Sequence, residues 1–487
     1  MPRLLVPAAL AVFLSSAALA QDPPTLGETT FANSGAEAAQ EPFLRGLLLL
    51  HSFEYDDARD AFREAQALDP DFAMAYWGEA MTHNHPVWQR QDREAGRAAL
   101  DELAMRSQIP PTLRERDYLA TLYVLFAETG DKHTRDDRYA EAMRELAQTY
   151  PDDLDARAFY ALALLGTAHE GRDFSTYMQA AAVAEEVFAA NPRHPGAAHY
   201  LIHAYDDPVH APLGLRPARV YDRIAPAASH ALHMPSHIYL ALGMWEDVRD
   251  MNRRSYDAAR AASNRRGEEL NGHGWHALWW WHYAATQLGD RPLADSLAGV
   301  ARSGAIHLPN PTASTHATRI YAQHALAFGD WDALDAWPAA SGGSLTTRAV
   351  DAHARGLAAL ASGDGARARE LLDALESTLD EATDPDDVSW AARAGAMSLA
   401  AAIHLREGDR ATALDLLTRA AALETAAPLT FGPPAPTIPA NEALGYFLLE
   451  SGDAEGAARA FEASLARAPN RRSSVEGLEL ARGAVGG

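Results

Sequence analysis

The sequence predicts an all-α solenoid of stacked helix pairs, and three observations carry that expectation. Apolar residues recur at helical spacing along most of the chain, with almost no alternating strand pattern. One skeleton repeats at both ends: Gly46, Ala58, Phe62 and Pro70 stand at the same offsets as Gly445, Ala457, Phe461 and Pro469. Glycines recur where a helix pair must turn and prolines where it must end. A repeat architecture also reconciles 487 residues with a single fold, because each unit packs only on its neighbours.

Taken in order, the chain opens with Arg3 before an apolar run from Leu4 to Leu14 and small residues Ala18 and Ala20 before Gln21. Residues 1–20 read as a cleaved secretory signal, which makes the protein secreted or periplasmic. Residues 21–38 read as a disordered mature N-terminus. Residues 39–310 read as N-terminal repeats with insertions, and residues 311–487 as C-terminal repeats. Further copies of the skeleton fall at Ala180 to Pro192, Gly243 to Val248, Gly289 to Ala294, Gly356 with Gly363 and Ala368, and Gly408 with Ala413 and Ala420. These small, turn and Pro positions resemble the tetratricopeptide repeat family. The resemblance covers most of residues 40–470 and implies a right-handed α-solenoid of tetratricopeptide-like helix pairs, whose concave groove takes a protein or peptide partner.

Four stretches break the period. Residues 82–116 carry His83, His85, Pro110 and Pro111; residues 206–228 carry four prolines; residues 262–275 are polar and Gly-containing. All three read as insertions on one face of the solenoid. Residues 424–440 hold Pro428, Pro433, Pro434, Pro436 and Pro439, which cannot continue a helix, and read as an extended connector across the groove.

Composition excludes several functions. The chain has no Cys, so disulfides, thiolate zinc sites and cysteine nucleophiles are ruled out, and any metal must use N and O ligands. A formal charge of −24 argues against nucleic acid as a partner. Apart from the leader, no apolar run approaches the ~20 residues of a membrane helix, so no membrane insertion is expected. The only Lys is Lys132, outside any phosphate-binding Gly-Lys-Ser/Thr motif, and no HExxH is present.

What remains is histidine. Six of the 20 fall between His199 and His237, where uniform placement gives about 1.6. His199 and His203 stand four apart, as do His233 and His237, and the pairs are offset by 34 residues, the length of one tetratricopeptide repeat. Side chains four apart share a helix face, and a neighbouring helix lies ~8–10 Å away, so two such pairs can converge. This set predicts a transition-metal site (Zn, Cu or Fe) with His199, His203, His233 and His237 as ligands and Asp206 as a fifth. A histidine row that contacts peptide or is merely solvated is the alternative. His169, which stands 34 before His203, together with His85, His276, Trp275 and Trp279, is expected to line a ligand site, with the Trp-rich segment at 275–281 as an aromatic wall or as core filler. No catalytic residue can be named. The block from His199 to Val248, with its HMPSH segment, also resembles exported bacterial tetratricopeptide proteins of unassigned function, which implies a dedicated site there.

Overall fold

The computed structural model describes residues 25–106, 110–306, 310–338, 340, 344–381 and 390–485, and the expected signal at 1–20 lies outside them. Among the described residues the protein is an all-α solenoid of helix pairs, from Glu37–His51 to Arg472–Val485. Strand is confined to a two-residue antiparallel pairing of Asn84–His85 with Arg90–Gln91.

One turn recurs between the helices of a pair. Gly289, Gly329, Gly363, Gly408 and Gly452 adopt positive φ, where a Cβ would clash with the backbone, and each is followed by Asp. That Asp begins the next helix; Asp409 and Asp453 accept the N–H groups of Thr412 and Gly456. Packing inside a pair repeats too. The Phe62 ring lies against Gly46 and Gly78, where a Cβ would come within 2.9 and 2.4 Å, and Phe461 lies against Gly445 and Gly477 at 2.8 and 2.3 Å. Gly78→Ala and Gly477→Ala should each cost about 1–3 kcal/mol, because a rigid ring in a closed core cannot yield without strain. Urea or thermal melts of the two variants check this.

One apolar core runs from Phe31 to Ala354, past the 310/311 division, after which small separate clusters follow. The N-terminal stretch departs from the expected disorder. Residues 25–36 are extended but docked: Phe31 packs on Phe43, Trp77 and Tyr118, the Thr29 hydroxyl donates to Asp155, and Ser34 donates to Glu115. A buried aromatic ring offsets the ordering entropy of so short a segment.

The stretches that break the period are not loops throughout. Residues 82–116 hold the small hairpin and the helix Arg93–Met105 and begin Leu113–Leu125. Residues 206–228 contain the helix Ala211–Ile224, in which Pro212 sits in the first turn and Pro217 is buried. Close packing holds it: a Cβ at Gly214 would meet Ile238 at 2.4 Å. Residues 267–271 connect Trp245–Arg266 to Gly272–Leu288.

Long-range contacts wind the solenoid back on itself. The first pair meets the helices bearing the histidines, and Glu54 accepts from the Ser229 hydroxyl and the His230 N–H. At the other end Asn470 accepts from the Trp245 indole, and Arg471 reaches Tyr283. Between Arg410–Ala426 and Ala440–Glu450 the proline-rich segment is non-helical and partly buried, with Phe431 5.9 Å from the ring of His237 and Gly432 against Trp280.

Candidate metal centre

Three separate stretches of the chain bring their histidines to one place. The helix Pro195–Ala204 carries His199 and His203 one turn apart. Ser229–His233 and Pro235–Ala241 carry His230, His233 and His237; Met234 between them keeps helical φ and ψ, so the break at Pro235 leaves all three on one face. Gly272–Leu288 adds His273 and His276.

The rings form two triads. Ligand atoms of His199, His203 and His230 lie within 4.8 Å of one another, as do those of His233, His237 and His276. The triads adjoin, with ring centroids 5.8 Å apart for His203 and His237 and 6.0 Å for His230 and His233. Thus the predicted set of four is divided by pair, and each pair gains a third histidine from elsewhere. Within pairs, Nε2 to Nε2 is 3.1 Å for His199 and His203 and 3.0 Å for His233 and His237. Two nitrogens each ~2.1 Å from a common ion and this far apart subtend about 90–95° at it.

Hydrogen bonds assign the tautomers. His199 Nδ1 donates to the His51 carbonyl at 2.7 Å, and His237 Nδ1 donates to Asp206 at 2.5 Å. Asn252 gives its NH2 to the Val248 carbonyl, so its oxygen is the atom that meets His233 Nδ1 at 2.7 Å, and that nitrogen donates. The Ser236 hydroxyl is spent on the His233 carbonyl. Each neutral imidazole has one N–H, so His233 and His237 confront each other with bare Nε2 lone pairs at 3.0 Å. A cation between them, or a proton on one Nε2, makes that arrangement favourable. Burial and the neighbouring imidazoles push His233 well below its ordinary pKa. The same causes lower His203, His230 and His276, and burial lowers His199 to about 3. His230 Nε2 is buried without a hydrogen-bond partner.

Asp206 is not placed as a fifth ligand. It lies beyond the end of its helix at Ala204, and its carboxylate occupies Nδ1 of His237, on the far side of the ring from Nε2. It fixes the orientation of the His237 ring. His169 stands apart, paired with Asp137 at 2.9 Å and stacked on His133; it follows the helix Leu154–Gly166, where the repeat is longer than 34 residues. His85 stacks on Tyr55 at 3.9 Å and bonds the Thr82 carbonyl, outside both triads. Trp275 and Trp280 are buried in the core and so form no exposed wall; Trp279 is nearly buried, and His276 belongs to the second triad.

Several contributors escape sequence reading. His51 supplies the carbonyl for His199, and Asp155 holds the His51 ring at 2.8 Å with His194 3.3 Å away. Phe53 packs its ring on His199 at 4.2 Å and adopts φ 56. The matching turn of the last repeat reads Ser451-Gly452-Asp453, while the first reads Ser52-Phe53-Glu54. A bulky residue in the left-handed position is strained, and Glu54 leaves its own helix to cap the histidine-bearing one. That broken turn rule was the available signal.

No protein-family model matches the chain, and no curated protein matches it. Among solved structures, the hetero-tetramer of Cut9 and Hcn1 from the APC/C is 14% identical, with 93% of this chain and 78% of that one covered at a TM-score of 0.38. Yeast Tom70 is 12% identical, covering 92% and 95% at 0.35, and human IFIT1 with m7Gppp-AAAA is 11% identical, covering 95% and 92% at 0.38. At such identities and scores these likenesses carry no weight for ligand, partner or chemistry. No helix among the described residues is long and apolar enough to cross a membrane.

Proposed function

We propose that this protein is an exported helical-repeat metalloprotein that holds a transition-metal ion at His233, His237 and His276 and a second at His199, His203 and His230. The observation that carries the reading is the pair of bare Nε2 atoms of His233 and His237, 3.0 Å apart with both Nδ1 groups committed as donors. Imidazole nitrogens suit Zn, Cu or Fe, and the chain has no Cys to narrow the choice toward thiolate chemistry. Three protein ligands leave a position for water or substrate, which is the pattern of catalytic rather than structural sites. The leader at 1–20 supports export to a secreted or periplasmic location.

The alternative of a peptide-binding groove is less favoured, because the chain's own Phe431 and Gly432 already lie beside His237 and Trp280. The test is elemental analysis of the untagged mature protein beside the His203→Ala, His237→Ala double variant. Two equivalents of metal are expected, one of them lost in His276→Ala and the other in His230→Ala. No metal after reconstitution with Zn, Cu and Fe, in protein that melts as the folded chain, would sink the reading.

A further inference from the structure

A second candidate site adjoins the histidines and uses none of them. Between the helix Pro311–Phe328 and the proline-rich segment lies a cavity of about 200 Å3, lined by Trp279, Arg319, Gln323, Trp390, Phe431 and Pro434 among others. Its size, below the ~300–1,000 Å3 of drug-sized pockets, suits a single-ring molecule. Three aromatic rings and two prolines are among its walls. Trp279 is fixed in place, since its indole N–H donates to the Gln323 side chain at 3.1 Å.

Arg319 is the one formal charge lining that cavity. Its guanidinium lies over the Trp279 ring, 4.6 Å from the centroid, and it makes no ion pair or hydrogen bond among the described residues. Three well-shielded arginines have acidic partners instead: Arg172 has Asp207, Arg355 has Asp351 and Arg471 has Glu442. Arg319 is half-buried, and that burial lowers its pKa with no counter-charge beside it among the described residues. The guanidinium presents its N–H donors without a protein partner among those residues, and a planar carboxylate is the group whose geometry answers them.

We infer that this cavity binds a small aromatic carboxylate, with the carboxylate on Arg319 and the ring between Trp279, Trp390 and Phe431. The cavity borders the metal candidates, since the Trp279 ring is 5.8 Å from His276 and Phe431 is 5.9 Å from His237. The binding itself needs no metal. Titration of the full mature chain with 4-hydroxybenzoate, followed by calorimetry and tryptophan fluorescence, tests it beside the uncharged 4-hydroxybenzyl alcohol. Saturable binding of the carboxylate is expected, at least 10-fold tighter than the alcohol, weakened at least 10-fold by Arg319→Gln and partly kept by Arg319→Lys, in protein stripped of metal as well as loaded. Binding that requires metal and ignores Arg319→Gln would overturn the inference while leaving the metal reading intact. So would the absence of saturable binding to wild-type protein, or equal binding of acid and alcohol. Melting curves matched to wild type show that the variants are folded.

Discussion

Asp206→Ala is expected to weaken metal binding about 10–100-fold without unfolding the protein. The carboxylate holds His237 Nδ1–H at 2.5 Å, and that bond both selects the tautomer and fixes the ring so that Nε2 meets His233. Without it the imidazole is free to turn, and each metal-binding event must then order it again. Asp206→Asn should lie between wild type and Ala, because an amide oxygen can still accept from Nδ1 but carries no charge. Competition with a chelator of known affinity measures both. Equal affinity in all three proteins would show that the ion, if bound, does not use His237. The analogous loss for Asn252→Ala would report on His233, which Asn252 orients at 2.7 Å.

The second large effect concerns closure of the solenoid. Arg471 donates to both Glu442 oxygens at 2.7 and 3.0 Å, to the Tyr283 hydroxyl at 3.1 Å and to the Thr437 carbonyl at 3.2 Å, all buried, while Ser474 donates to the same carboxylate. This one side chain ties the last repeat to the proline-rich segment and to the helix that bears His276. Arg471→Ala should cost about 3–5 kcal/mol, chiefly because it strands the Glu442 charge without a partner. The double change Arg471→Met, Glu442→Leu removes both charges and should recover most of that loss. Chemical denaturation of the three proteins decides it. A single-variant loss below about 1 kcal/mol would mean that water reaches the pair in solution.

Much of this protein is legible from its sequence because repeat units make their contacts locally. The Gly-Asp turns at 289–290, 363–364, 408–409 and 452–453, and the matching Phe62 and Phe461, specify helix pairs through steric rules that act over a few residues. The spacing of His199 with His203 and of His233 with His237 likewise needs only the helical period. The same locality explains the failures. His169 stands 34 before His203 in register only if every repeat has one length, and residues 206–228 read as a loop although they fold into the helix Ala211–Ile224.

What sequence by itself determined, then, is the helix-pair architecture, the exclusion of thiolate chemistry and two histidine pairs on neighbouring helices. Only the tertiary structure brought His230 and His276 to the two histidine pairs, set Asp206 against His237 Nδ1, and carried Phe53, Glu54 and His51 in from about 150 residues or more away. The reason lies in how a solenoid curves. Each repeat rotates slightly against the next, and those rotations are set by side-chain packing with no periodic signature. Their sum brings the first repeat onto the histidine helices and the last onto Tyr283.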